Sequence, residues 1–279
     1  MTAEVGRSNR HCAVLGSPIA HSLSPALHRA AYGTLGLDWS YDRYEVDEAG
    51  LGAFVAGRDA SWRGLSLTMP LKVAALALGE VDPLAAQAGA ANTLVFEADG
   101  RRRLFNTDVG GLVWALRRAG ADRVSRVTVL GAGATARSSL VSAARLGAQT
   151  VTVVARTPSR AEPLLALGVS LAVQVRVQEW SEPLPTADVL VSTAVAGAAD
   201  SLAEAAAASA PLVFDAVYDP WPTRLAQAAA TAGCAVVNGL DLLVGQALLQ
   251  LELMTGSGVA AEVLYAAGHD ALAAAAVGD

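Results

Sequence analysis

The sequence predicts an α/β protein of two domains, and three observations carry that prediction. At 279 residues the chain is longer than one compact core ordinarily organises. Short Val-rich runs alternate with helical patterns along most of it, which is the grammar of strand–helix–strand units. A glycine-bearing turn, Gly131-Ala132-Gly133, stands directly between one such run and a helical stretch.

The first strand is "CAVLG", residues 12–16. Ser24 followed by Pro25 then reads as an N-cap and first helical residue, with Leu27, Ala30, Ala31 and Leu35 as the apolar face and Gly36 as the stop. Capping leaves Ser22 unexplained. In extended chain residues two apart project the same way, so Ser22 and Ser24 are placed to hold one small oxygen-rich ligand beside the amides of a helix start. "WSYDRYEV" gives a second strand. In "GLSLTMPLK", Leu65, Leu67 and Met69 alternate with Ser66 and Thr68, so one face is apolar and the other bears hydroxyls. Lys72 follows at the start of the helical pattern "LKVAALALG", where a cation opposes the helix dipole. Beside it the other candidate carriers of a proton are His21, His28 and Asp108. Asp99-Gly100 reads as a two-residue hairpin turn setting Glu97 opposite Arg102, Val95 opposite Leu104 and Asn92 opposite Thr107, which brings Asn92 beside Asp108.

After Gly110-Gly111 a helical stretch leads into "RVTVLGAGATARSSLVSAARLG", "TVTVVART", "ADVLVSTAV", "PLVFDAVYDP" and "CAVVNG". Val-rich strands without alternation belong to a parallel sheet covered on both faces. The chain ends in helices, and "SLAEAAAASA" fits a crossover helix. The expected domains are an α/β unit over residues 1–109, a nucleotide-binding unit over 110–239, and C-terminal helices over 240–279 that return to the first unit.

Composition excludes several classes of function. Twenty Lys and Arg against 26 Asp and Glu give a net charge of -6, and the cations are scattered apart from Arg101, Arg102 and Arg103 at a turn, which argues against nucleic acid. Cys12 and Cys234 are far apart in apolar runs, as buried thiols of a reducing compartment would be, and the four histidines make no metal-ligand spacing. No metal is expected. The first residues lack a signal-peptide core and no apolar run approaches a membrane span, so the expectation is a soluble, cytoplasmic protein.

Gly131, Gly133 and Ala136 form G-x-G-x-x-A between strand and helix, the order a pyrophosphate needs: a tight turn, an uncrowded backbone and a helix N-terminus. A dinucleotide with a free ribose 2′-hydroxyl usually meets Asp or Glu at the end of the next strand. This chain has Arg156, Thr157 and Arg160 there, which suit a 2′-phosphate, so the expected cofactor is NADP.

"GSPIAHSLSPALH", "GLSLTMPLK", "AANTLV", "NTDVGG", "GAGATAR", "VYDPWPT" and "GLDLLVGQALLQLELMTG" together resemble the shikimate dehydrogenase family, in that family's order over nearly the whole chain. The resemblance implies a substrate domain plus a Rossmann-type NADP-binding domain, reversible NADPH-dependent reduction of 3-dehydroshikimate to shikimate, and substrate in the cleft between the domains. It implies that Ser22 and Ser24 hold the substrate carboxylate, and that Ser66, Thr68, Lys72, Asn92, Asp108 and Gln246 face the ring hydroxyls. Lys72 and Asp108 match the catalytic pair, Tyr218 a tyrosine near the substrate, and Gly239 the approach to the nicotinamide. Ala134 and Thr193 join the cofactor set. Two positions depart from the family's pattern. Ser66 stands where Asn is common, which predicts a weaker or water-mediated contact, and Ala155 replaces an Asn beside the adenosine. The alternatives are a relative that also oxidises quinate or uses NAD, and a non-catalytic NADP-binding sensor.

Overall fold

The computed structural model describes residues 9–278, which divide into two compact units. The first comprises the described residues up to Thr107 together with those from Ala247 onward, and the second is Asp108–Gln246.

The first unit is built on β1 (His11–Gly16), α1 (Ser24–Leu35), β2 (Ser40–Glu45), α2 (Glu48–Ala56), β3 (Trp62–Leu67), β4 (Glu80–Val81), α3 (Pro83–Ala88), β5 (Thr93–Phe96) and β6 (Arg102–Phe105). Its sheet runs β2-β1-β3-β5-β6-β4, parallel across β1, β2 and β3 and antiparallel through β5. The apolar residues of "GLSL" face a core with Leu15, Leu51, Val55, Leu71, Leu94 and Leu104.

Four local expectations are corrected. Helix α1 begins at Ser24 itself, with Leu23 at the N-cap and no side-chain cap, so Ser24 is the first helical residue. Pro25 fits the second place because its missing N–H costs nothing there. The buried face of α1 takes in His28 and Tyr32 beside Leu27 and Ala31, while Ala30 and Leu35 are only half-buried. The "LKVAALALG" segment is a turn followed by a short 3₁₀ helix, Ala74–Leu78, because the Lys72 carbonyl accepts the Ala91 N–H at 2.8 Å rather than one from the next turn of an α-helix. The hairpin loop has three residues, 98–100, with Gly100 at φ 84°, so Val95 pairs with Arg103 and Phe96 with Arg102. That is one residue away from the sequence expectation.

The second unit contains α4 (Thr107–Arg118, whose first residue belongs to the first unit), β7 (Arg126–Leu130), α5 (Ala134–Arg145), β8 (Thr150–Ala155), α6 (Glu162–Ser170), β9 (Gln174–Glu179), β10 (Val189–Ser192), α7 (Ala203–Ser209), β11 (Leu212–Asp215), α8 (Arg224–Thr231) and β12 (Ala235–Val237). Its all-parallel sheet runs β12-β11-β10-β7-β8-β9, the doubly wound order whose strand direction of growth reverses between β7 and β10. Gly110 and Gly111 lie inside α4 rather than before it. A Cβ on Gly111 would stand 2.6 Å from the Gln246 nitrogen, so the glycine lets two helix backbones approach. The partner helix is α9 (Gly239–Thr255), followed by α10 (Ala261–Gly278), which packs on α1. Among the described residues no helix is long and apolar enough to cross a membrane.

Candidate active site

In the first unit the predicted substrate residues gather where β1 and β3 end. The Ser24 N–H donates to Ser22 Oγ at 3.3 Å, so the two serines are joined by a local turn at the head of α1. Thr68 follows β3, its N–H donating to the Leu15 carbonyl. The Leu67 N–H donates to the Asn92 carbonyl at 2.8 Å, and the Ala91 N–H to the Lys72 carbonyl. Those two bonds bring Thr68, Lys72 and Asn92 together although 24 positions separate the outer pair in sequence.

Asn92, 2% exposed, is the hub. Its Oδ1 accepts the Thr107 N–H at 2.7 Å and the Thr93 hydroxyl at 3.0 Å, while its Nδ2 donates to Thr107 Oγ1 at 2.9 Å. The carboxamide acts as a surrogate peptide group that fixes the chain entering Asp108. Asn92 thus meets Thr107 despite the shifted hairpin register, because the side chain rather than the ladder makes the contact. Asp108 lies in the first turn of α4, buried at 5% exposure.

The Ser66 hydroxyl is engaged within the protein itself. Ser66 is 4% exposed, accepts the Tyr41 hydroxyl at 2.6 Å and donates to Gln250 Oε1 at 2.8 Å. Gln250 Nε2 donates onward to Thr93 Oγ1 at 2.9 Å, and His28 Nε2 meets Gln250 Oε1 at 3.2 Å. The His28 and Tyr41 rings stack at 4.1 Å. Burial holds the His28 imidazole neutral, its pKa pushed down to about 4, and pushes the Tyr41 phenol far above its ordinary value. His28, a candidate proton carrier in the sequence, is thus a fully buried member of this network. Tyr41 and Gln250 were not singled out in the sequence. The available signal for Gln250 was a polar residue on an apolar helical stripe, beside Ala247 and Leu251.

In the second unit Gly131 has φ 111°, and a Cβ there would stand 2.4 Å from Thr193 Oγ1, which itself donates to the Leu130 carbonyl at 2.9 Å. Gly133 caps α5 without any side-chain hydrogen bond, and a Cβ on it would meet open space. The amides from Ala134 onward therefore head a helix whose first turn no side chain closes, a fit for an anionic pyrophosphate. Ala136 is buried at 1% exposure and packs the helix on the sheet. A cavity of about 200 Å³ is lined by Gly131, Arg156, Thr157, Arg160, Trp180 and Val195. Arg156, exposed, rests one Nη on the Ala198 carbonyl at 2.8 Å and its guanidinium 5.3 Å above the Trp180 ring. Thr157 precedes a 3₁₀ turn, Pro158–Ala161, but does not cap it with its side chain, so the hydroxyl is not used for local structure. Ala155, 4% exposed, ends β8 with no polar group. Trp180 had no sequence signal, since it reaches the cavity from the loop after β9.

Tyr218 and Gly239 are neighbours: a Cβ on Gly239 would lie 2.1 Å from the Ala216 oxygen and 3.1 Å from the Tyr218 ring. Asp215 anchors the Tyr218 loop, accepting the Thr223 hydroxyl at 2.7 Å and the Val217 N–H at 3.3 Å, and burial raises its carboxyl pKa. Gln246 is buried in α9, its Nε2 donating to the Leu243 carbonyl at 2.9 Å.

A family model of the shikimate dehydrogenase substrate binding domain matches residues 14–94. The shikimate dehydrogenase (NADP(+)) of Methanosarcina acetivorans is 38% identical over 275 residues, covering 94% of this chain and 98% of its own. The crystal structure of Mycobacterium tuberculosis shikimate dehydrogenase superposes with a TM-score of 0.86 at 42% identity, covering 94% and 99% of the two chains. That of the Thermus thermophilus shikimate 5-dehydrogenase, in complex with NADP(H) and shikimate, gives 0.80 at 33% identity, covering 94% and 99%.

Proposed function

We infer the function from one premise: this chain belongs to the shikimate dehydrogenase family. It is an NADP-dependent oxidoreductase acting on a CH–OH group, interconverting shikimate and 3-dehydroshikimate, a step of chorismate and aromatic amino acid biosynthesis. The observation that carries the cofactor side is the cavity that unites the glycine turn with Arg156, Thr157 and Arg160, where an exposed guanidinium is held, among the described residues, by a backbone carbonyl and a ring. Free thiols at Cys12 and Cys234 support placing the enzyme in the reducing cytoplasm. We take it to act on its small-molecule substrate as a monomer or homodimer.

Within that reading Ser22 and Ser24 hold the substrate carboxylate, and Ser66, Thr68, Asn92, Tyr218 and Gln246 orient the ring. Gly131, Gly133 and Ala134 receive the pyrophosphate, Arg156, Thr157 and Arg160 the 2′-phosphate, and Thr193 and Gly239 border the nicotinamide half. NADPH, when bound, supplies hydride to the ketone carbon. Charge then builds on the carbonyl oxygen, where Lys72 presents its ammonium and gives a proton, while Asp108 orients that ammonium and the substrate hydroxyl.

One assay tests the whole: rates of NADP and NAD reduction with shikimate and with quinate. Shikimate with NADP should exceed the other three combinations by at least about tenfold in kcat/KM, given the 2′-phosphate contacts. Comparable rates with quinate or with NAD would replace the reading by a broader quinate/shikimate dehydrogenase, and tight NADP binding without turnover would replace it by a sensor.

A further inference from the structure

Tyr41 has no assigned role, yet its hydroxyl reaches the substrate side from beneath. The residue is fully buried on β2, whose register sets it beside Cys12 of β1. Its hydroxyl donates to Ser66 Oγ at 2.6 Å, and the Ser24 side chain is its other hydroxyl neighbour. The ring cannot swing away, because His28 stacks flat against it with 12° between the planes.

Counting donors along this chain gives it a direction. Tyr41 spends its only proton on Ser66, Ser66 spends its own on Gln250 Oε1, and the Gln250 amide donates to Thr93 Oγ1. The Thr93 hydroxyl then donates to Asn92 Oδ1. A serine hydroxyl has one proton and two lone pairs, so Ser66 retains a single lone pair and no donor. Without the Tyr41 proton, Ser66 would regain a second lone pair and rotational freedom about its Cβ–Oγ bond.

We propose that Tyr41 is a positioning residue of the substrate pocket, fixing the Ser66 hydroxyl so that it meets the substrate only as an acceptor for a ring hydroxyl. This rests on the functional reading above. Tyr41 touches neither substrate nor cofactor, and acts through Ser66.

Tyr41→Phe removes the hydroxyl and keeps the stacked ring. The expected result is a KM for shikimate raised about threefold to tenfold, the range one neutral hydrogen bond spans. The turnover number should change less than about twofold and the KM for NADP not at all. In the double variant with Ser66→Ala the KM should rise no further than in the more affected single variant, because the two groups act as one unit. A Tyr41→Phe protein with an unmoved shikimate KM, or costs that multiply in the double variant, would overturn the inference. Should Tyr41→Phe fail to fold cooperatively, Ser66→Ala alone carries the test, with the same KM rise expected and an unchanged KM as the refuting result. Absence of shikimate turnover by the unmodified protein sinks the functional reading, and this inference with it. Turnover with an unmoved KM sinks the inference alone.

Discussion

Asn92 and Arg156 both stand at strand ends, Asn92 before β5 and Arg156 after β8, and their surroundings are opposite. Asn92 is 2% exposed and bonded on both ends of its carboxamide to Thr93 and Thr107. Arg156 is exposed, held by one carbonyl and one ring. The contrast extends to their neighbours. Ser66, Gln250, Tyr41 and the Nε2 of His28 bond to one another out of water, whereas Gly133 faces open space and Thr157 leaves its hydroxyl unspent on capping. Buried, mutually satisfied groups are oriented before any ligand arrives, and removing one disturbs fold and function together. Exposed groups at an open loop gain their full partners only on binding, and removing one should leave the fold untouched.

The largest effect that can break this contrast is at Lys72. Lys72→Met should lower kcat about 10²- to 10⁴-fold with a much smaller change in KM, because the ammonium meets oxygen charge that exists mainly in the transition state. Steady-state kinetics decide it: a raised KM with kcat intact would make Lys72 a binding residue and move the proton donation elsewhere.

Acid sharpens the contrast on the stability side. The folded His28 pKa is pushed down to about 4 from an unfolded value near 6.5, so between those values the unfolded chain binds the proton that the folded one refuses. Stability from this group is therefore complete above about pH 6.5 and is lost as pH falls toward 4, in total about 3 kcal/mol. Denaturant titrations of the unmodified protein and of His28→Gln across that window should differ in slope, with the variant losing less. Equal slopes would show that His28 does not belong to a closed, dry network.

Arg156→Ala should weaken NADPH binding about 10- to 100-fold while changing NADH binding less than about threefold and the thermal midpoint hardly at all. Equal losses for the two cofactors would remove the 2′-phosphate role. A large drop in thermal midpoint would erase the contrast itself, since Arg156 would then be structural.

Much of the frame was legible because each signal was local. The Val-rich strands, the glycine turn before α5 and the αL stop at Gly36 depend on residues close in sequence. What misread did so where a distant partner, or a side-chain hydrogen bond within the turn, decided. The Lys72 carbonyl is taken by Ala91, so an apparent α-helix became a turn. The Asp99 side chain accepts the Arg101 N–H at 3.0 Å, stabilising a loop one residue longer than the Asp-Gly pair suggested. Nothing near Ser66 in sequence marks its hydroxyl as part of a buried network. The hydroxyl's partners within the protein, Tyr41 and Gln250, lie 25 and 184 positions away. Trp180 illustrates the same limit on the cofactor side, since nothing in "QEW" marks it as a wall beneath Arg156.

The close approach of α4 to α9 carries a consequence for engineering. Replacing helical glycine by alanine is a common route to a more heat-resistant enzyme, worth about 0.4–1 kcal/mol where the backbone and the space allow it. Gly52 in α2 allows it, since an added methyl there meets nothing within 4 Å. At Gly111 and Gly245 the same edit would drive a methyl to 2.6 Å from the Gln246 nitrogen and 2.7 Å from the Gly111 oxygen. A consensus of helix propensities would score these glycines alike, and a library built on it would carry its worst members at the two positions where the absence of a side chain is itself the joint.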